Sequence, residues 1–153
     1  MYHRSNRKGF TLIEVAIVVG MVGILAGVIY PSMASALTKA NARNAQAAVV
    51  AQLAVARSAA VQRGRSARVV VIGNVLNVAL DSAGTLIPIG SQADLYSAYD
   101  VSVSATHGLV EFDSRGMAVG LAGPVEFTLT HGANVKHVCV RRLGNIVMGA
   151  CSA

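Results

Sequence analysis

The hydrophobic residues of this chain are concentrated near its N-terminus. Residues 1–9 are polar and basic, whereas residues 10–30 carry a single charge, Glu14. At 1.5 Å per residue, a helix over this block spans roughly 31 Å, which matches the hydrocarbon core of a bilayer. The pattern predicts a transmembrane helix, and the basic residues before it place the N-terminus in the cytoplasm. A signal peptide, cleaved at small residues near the end of the block, is the alternative.

Glu14 argues against the signal peptide and marks the block as functional. An unpaired carboxylate at this depth costs about 2.5–3.5 kcal/mol or more. A buried charge needs an opposite charge close by, and a free amine at Phe10 would supply one within the same helical turn. That amine belongs either to the same chain or to a neighbouring chain. The other interpretation is that Glu14 reaches the lipid headgroups from its position near the end of the segment.

The next stretch, residues 32–62, favours a helix as well. It is rich in alanine and contains neither glycine nor proline, so its helix propensity is high. Its apolar residues recur at helical spacing and form one narrow face. The residues of this face are Val49, Leu53, Ala56 and Ala60. We therefore expect one continuous helix from about Thr11 to Gln62, with a kink at Pro31.

From residue 63 onward, short β-branched and apolar runs alternate with turn signals rich in Gly, Asp and Asn. This spacing predicts an antiparallel sheet and therefore an α+β fold. The predicted strands are residues 68–72, 75–80, 85–89, 101–105, 109–112, 125–130, 135–140 and 146–148. Residues 90–100 have the weakest pattern, and we expect a loop there.

Both cysteines, Cys139 and Cys151, lie near the C-terminus. If the last hairpin turns at Asn145, the two fall directly opposite each other, which is within disulfide reach. A single disulfide indicates an oxidising compartment. The alternative, a redox-active pair, lacks the Cys-x-x-Cys arrangement.

Little else in the sequence indicates catalysis or a cofactor. The four histidines have no metal-binding spacing, and no catalytic motif or close carboxylate pair is present. We therefore expect neither an enzyme nor a metal site. The net charge of +6 leaves DNA as a candidate partner, since basic side chains can contact phosphates in a salt-sensitive way. The candidate DNA-binding residues are Arg63, Arg65 and Arg68 at the helix–sheet junction, and Lys136, Arg141 and Arg142 in the last hairpin.

Residues 8–15, with the sequence KGFTLIEV, resemble the processing site of type IV prepilins and type II secretion pseudopilins. The resemblance implies cleavage between Gly9 and Phe10 by prepilin peptidase and N-methylation of Phe10. It also implies that Glu14 contacts the amine of a neighbouring subunit during assembly. Pro31 lies where many pilins have a helix-kinking proline.

The rest of the chain is similar to the GspH/FimT group of minor pseudopilins and minor pilins. The similar stretches are residues 56–60 (ARSAA) followed by Arg63-Gly64, residues 112–116 (FDSRG), and a last hairpin that ends near a cysteine. The resemblance implies a pilin-like α+β fold and a structural subunit of the tip or priming complex of a type IV pilus or type II secretion pseudopilus. The implied partners are other pilins or pseudopilins, prepilin peptidase and the inner-membrane assembly platform.

This resemblance also fixes the expected organisation of the chain. It comprises a leader (1–9), a transmembrane and assembly helix (10–30), the periplasmic half of the helix (31–62) and a β-rich globular domain (63–153). The protein would begin in the bacterial inner membrane and then enter the filament. Some members of the group bind DNA during natural transformation through a Gly-Arg-x-Arg motif. Here that stretch reads Gly144-Asn145-Ile146-Val147, without either arginine, and Arg141 and Arg142 are the candidate substitutes.

Overall fold

The computed structural model describes residues 10–151, with the side chains of residues 28–32 left aside. One α-helix, α1, covers Leu12–Arg63, in agreement with the predicted continuous helix. The chain divides into two compact units, with the boundary between Leu37 and Thr38. Each unit is described by itself.

The N-terminal unit consists of the beginning of α1. The hydroxyl of Thr11 accepts a hydrogen bond from the backbone N–H of Glu14 at 3.3 Å, as in an N-capping arrangement that satisfies one free donor of the first turn. The large apolar side chains that follow are exposed, from 52% for Val15 to 88% for Leu12. Within the part of the chain that the structure describes, no helix is long and apolar enough to cross a membrane.

In the globular unit, the remainder of α1 buries one face. Val49, Leu53, Ala56 and Ala60 are fully buried, so the predicted apolar face is confirmed. Ala42 and Ala45 extend this face toward the N-terminus. Small side chains along a helix allow its backbone to approach a packed layer closely, which brings α1 against the apolar faces of the sheets.

Two antiparallel sheets pack with the helix, where the sequence predicted one. The first has the order β3-β2-β1-β6-β7, with β4 also paired to β2, and the second has the order β10-β9-β8-β5. The strands are β1 (Ala67–Ile72), β2 (Val75–Ser82), β3 (Thr85–Pro88), β4 (Ala93–Asp94), β5 (Ser102–Ala105), β6 (Leu109–Phe112), β7 (Ala118–Val119), β8 (Val125–His131), β9 (Asn134–Val140) and β10 (Ile146–Met148). Alternate residues of β1, β2 and β8 are buried, so each sheet presents one apolar face to a shared core.

The prediction of a loop at residues 90–100 is wrong. This segment contains β4 and a short helix, α2, covering Leu95–Tyr99. The carboxylate of Asp94 caps α2 by accepting from the backbone N–H groups of Tyr96 and Ser97, both at 3.0 Å. A helix of five residues is too short to show a hydrophobic period, so the capping Asp was its only strong sequence signal.

The predicted disulfide between Cys139 and Cys151 is present, but the predicted hairpin register is wrong. Across β9 and β10, Cys139 lies opposite Val147, because the connecting loop spans residues 141–145 and is not centred on Asn145. After β10, the N–H of Gly149 donates to the carbonyl of His137 at 2.8 Å. The chain then brings Cys151 back to Cys139, with 5.1 Å between their Cα atoms.

Candidate functional site

The predicted assembly residues lie at the start of α1. Phe10 is 83% exposed, and Glu14 lies one turn further along the chain. Both line a shallow groove of about 260 Å³ with Val15, Val18 and Val19. Among the described residues, the carboxylate of Glu14 has no ion-pair partner. This end of α1 therefore presents a single negative charge within an exposed apolar surface.

The structure gives little information on two other predicted positions, Gly9 and Pro31. Gly9, the expected cleavage position, lies outside the described residues. Pro31 lies inside α1, and its side chain belongs to the group left aside. The predicted kink at Pro31 stays a prediction. Thr11 was not singled out by the sequence, although Thr11 and Glu14 stand in the Ser/Thr-x-x-Glu spacing of a capping box, which was the available signal.

The three residues of the first predicted basic cluster, Arg63, Arg65 and Arg68, differ in their contacts. Arg68 lies directly opposite Glu111 on β6 and donates to it from Nε at 3.0 Å, while its Nη2 lies 3.4 Å from Asp81 on β2. Two carboxylates thus neutralise its charge on the sheet. Arg65 donates to the hydroxyl of Ser82 at 2.7 Å. Arg63 is exposed in the last turn of α1, where a positive charge complements the helix dipole.

The second basic cluster is spread along the last hairpin. Lys136 lies on β9 opposite Leu129, roughly 16 Å along the chain from Arg141 at strand spacing. Arg141 and Arg142 are both exposed. Arg142 donates from its guanidinium to the carbonyl of Ala122. Only Arg141 and Arg142 of this cluster therefore share one loop.

A three-way contact holds that loop in place. The Nε of Arg57 on α1 donates to the carbonyl of Gly116 at 3.0 Å. Gly144 is buried against the same carbonyl: a Cβ added to it would lie 3.1 Å from the carbonyl carbon and 3.2 Å from the Nε of Arg57. The backbone of Gly144 has φ +77°, which favours glycine. The helix, the β6–β7 turn and the β9–β10 loop therefore meet at Arg57, Gly116 and Gly144.

The β6–β7 turn is shaped by Asp113. Its Oδ1 accepts from the backbone N–H groups of Arg115 and Met117, both at 2.9 Å. Its Oδ2 lies 3.0 Å from the guanidinium of Arg115. The hydrogen bond from Met117, followed by those from Arg115, holds the pKa of the Asp113 carboxyl below its ordinary value of 3.8.

A polar cluster surrounds the disulfide. Glu126 places one carboxylate oxygen 2.7 Å from Nδ1 of His137 and accepts from the backbone N–H of Cys151 with the other at 3.1 Å. The side chain of Gln46 on α1 donates to the carbonyl of His137 at 2.7 Å. This cluster fixes the C-terminal segment. Among residues 10–151, no group of His, Cys, Asp and Glu side chains is arranged to hold a metal ion.

The fold is that of a pilin-like protein: a long N-terminal helix whose exposed apolar start precedes an antiparallel globular domain. Residues 4–30 match the family model described as the prokaryotic N-terminal methylation motif. Residues 45–144, well over half of the chain, match the model described as type II transport protein GspH. The chain therefore belongs to the GspH family and is a structural subunit of the minor pilin and pseudopilin class.

Solved structures share this fold. The type IV minor pilin FimU of Pseudomonas aeruginosa superposes with a TM-score of 0.57 at 17% identity, covering 73% of this chain and 87% of FimU. The minor pseudopilin EpsH of the Vibrio cholerae type 2 secretion system superposes with a TM-score of 0.59 at 12% identity, covering 74% of this chain and 99% of EpsH. Both confirm the predicted α+β fold. No match was found among curated proteins.

Proposed function

We propose that this protein is a minor subunit of the tip or priming complex of a type IV pilus or type II secretion pseudopilus, and that it acts in assembly without catalysing a reaction. The observation that carries the proposal is the start of α1. Its large apolar side chains from Leu12 to Leu25 are more than half exposed, and a surface of this kind requires lipid or protein to cover it. Bilayer lipid would cover it before assembly, and helices of other subunits would cover it in the filament.

Proteolytic processing would create the amine that takes part in assembly. Cleavage by prepilin peptidase between Gly9 and Phe10 would turn Phe10 into a free, then methylated, amine. That amine and the carboxylate of Glu14 have opposite charges, so each can neutralise the other across two neighbouring subunits in an apolar surrounding. Before assembly, the inner membrane would hold residues 10–30, with the globular domain in the periplasm. The assembly platform in that membrane would then extract the subunit.

The role of Glu14 is tested with Glu14→Ala and a matched control, Ile17→Ala, which removes an apolar side chain from the same part of α1. We expect both variants to be cleaved after Gly9, which mass spectrometry of the N-terminus checks. Only Glu14→Ala should strongly reduce the amount of this subunit in sheared filaments, because it leaves the partner amine unpaired. Wild-type filament occupancy of Glu14→Ala would refute this role.

Processing is tested separately with Gly9→Val. The bulky side chain should leave residues 1–9 attached to the chain, which is visible as a larger N-terminal mass. Normal cleavage of this variant would overturn the assignment of the processing position. Crosslinking of living cells, followed by identification of the neighbours, then separates a type IV pilus from a type II secretion pseudopilus.

A further inference from the structure

The carboxylates of the globular unit are mostly engaged inside it, whereas many of its cations are not. Asp81 and Glu111 bind Arg68, Asp113 binds Arg115, and Glu126 binds His137, while Asp94 caps α2. Several cations form no ion pair with a carboxylate among the described residues. These are Lys39, Arg43, Arg57, Arg63, Arg65, Lys136, Arg141 and Arg142. The surface of this unit therefore carries unmatched positive charge.

Part of this charge surrounds one groove, between α1 and β10. The groove has a volume of about 390 Å³ and is lined by Ala54, Arg57, Ser58, Val61, Gln62 and Ile146. None of these lining residues is acidic or aromatic. Arg63 directly follows the lining residue Gln62, and the N–H of Arg141 donates to the carbonyl of Asn145, the neighbour of Ile146, at 2.9 Å. Arg57 therefore lies in the groove itself, while Arg63 and Arg141 are neighbours of the segments that form it.

The wall formed by the last hairpin is an open sheet edge. β10 is the terminal strand of its sheet, so within residues 10–151 one side of its backbone is not paired with another strand. Val147 and Met148 on this strand are 41% and 58% exposed. Because Gly144 is packed against Gly116, the loop that leads into β10 is fixed in position, and a ligand would meet a formed surface.

We propose that this groove binds an extended acidic segment of a neighbouring subunit, which adds to the edge of β10. Alternate side chains of an extended segment point to opposite faces. Small apolar ones can lie on Ala54, Val61 and Ile146, while carboxylates can meet Arg57 and the unmatched positive charge of this unit. Strand addition of this kind takes its affinity from backbone hydrogen bonds and its specificity from such side-chain positions. The identity of the occupant as a filament subunit rests on the proposed function.

A protein segment fits this surface better than a nucleic acid does. Binding of single-stranded nucleic acid uses aromatic side chains on which bases stack, and the groove lining has none. Phosphate contacts to duplex DNA need cations alone, and would leave the apolar floor and the free edge of β10 unused. An acidic protein segment can contact the cations, the apolar floor and the free edge of β10 together.

The test places a photoreactive phenylalanine analogue at Ser58, in the groove, in cells that assemble filaments. A second strain carries the analogue at Ile17, on the N-terminal part of α1. After irradiation, mass spectrometry identifies the crosslinked peptide. We expect Ser58 to crosslink to a segment of another subunit with net negative charge. A neutral or basic segment, DNA, or no crosslink at Ser58 would overturn the proposal.

Charge reversal supplies the specificity control. Arg63→Glu combined with Arg141→Glu should reduce the Ser58 crosslink at least tenfold. Arg43→Glu reverses a single charge on α1 roughly 21 Å from Arg57 and should leave the crosslink intact. If the reversal has no effect, or if Arg43→Glu abolishes the crosslink equally, the charge match is refuted. If the analogue at Ile17 crosslinks but the analogue at Ser58 does not, the groove proposal fails and the proposed function stands. If neither position crosslinks, the proposed function fails as well.

Discussion

Among the described glycines, Gly144 is the one where an added methyl group meets the tightest backbone contact. In Gly144→Ala, the new Cβ enters the space of the Gly116 carbonyl, which is backbone and accepts a hydrogen bond from Arg57. Because the obstructing atoms are backbone, the carbonyl has to shift, and this shift weakens its bond to Arg57. The substitution therefore separates the β9–β10 loop from the β6–β7 turn and from α1.

The magnitude follows from three contributions. A non-glycine residue at φ +77° costs about 1–2 kcal/mol, overpacking costs about 1–3 kcal/mol, and the lost hydrogen bond costs about 0.5–1.5 kcal/mol. Together they give about 2.5–6.5 kcal/mol, which is a large share of the stability of a typical domain. Gly120 has a similar backbone, φ +72°, but nothing lies within 4 Å of an added Cβ. Gly120→Ala should therefore cost only about 1–2 kcal/mol.

The two variants are compared with the parent chain by urea unfolding in the same detergent, followed by far-ultraviolet circular dichroism. We expect the transition of Gly144→Ala at much lower urea than that of Gly120→Ala, with similar slopes, because a change in midpoint at constant slope reports stability. Equal midpoints for the two alanine variants would refute the three-way contact as a source of stability.

Two further predictions concern the hairpin and the turn that it contacts. The bridge between Cys139 and Cys151 closes a sequence separation of 12 residues, so replacing both cysteines by serine should cost about 3 kcal/mol in the chain-entropy model; an unchanged urea midpoint would contradict this. Because the pKa of Asp113 is lowered in the folded state, its contribution to stability is present above its ordinary value of 3.8 and is lost as the pH falls through the lower folded-state pKa. NMR titration of its carboxyl carbon should therefore give a midpoint below 3.8, and a midpoint at or above 3.8 would count against the hydrogen-bonded turn.

The sequence predicted those parts of the fold that repeat at a regular period. The buried face of α1 and most strand positions follow from helical spacing and from alternation, which depend only on neighbouring residues. The division into two sheets does not follow from such local spacing, because the pairing of β1 with β6 and of β5 with β8 joins residues far apart in the sequence. The register of the last hairpin failed for a related reason: a five-residue loop with Gly144 at positive φ displaced Cys151 from its expected partner.

The same distinction applies to the candidate sites. Glu14 could be proposed from the sequence because a charge inside an apolar block is visible there, and its assembly role with Phe10 stays a prediction. Arg68 was misleading, since an arginine at a junction looks available until its partners on β2 and β6 are known. The contact of Arg57 with Gly116 and Gly144 joins three distant segments, and only the left-handed preference of glycine hinted at it.

The disulfide has a mechanical consequence for a chain that works in a filament. When the two ends of the polypeptide are pulled, the covalent path runs from Cys139 directly to Cys151 through the sulfur atoms. The intervening residues, which include Arg141 and β10, lie outside the load path. About 40 Å of contour length is thereby withheld from extension. The open strand edge beside the groove is thus protected from direct tension even if the rest of the domain yields.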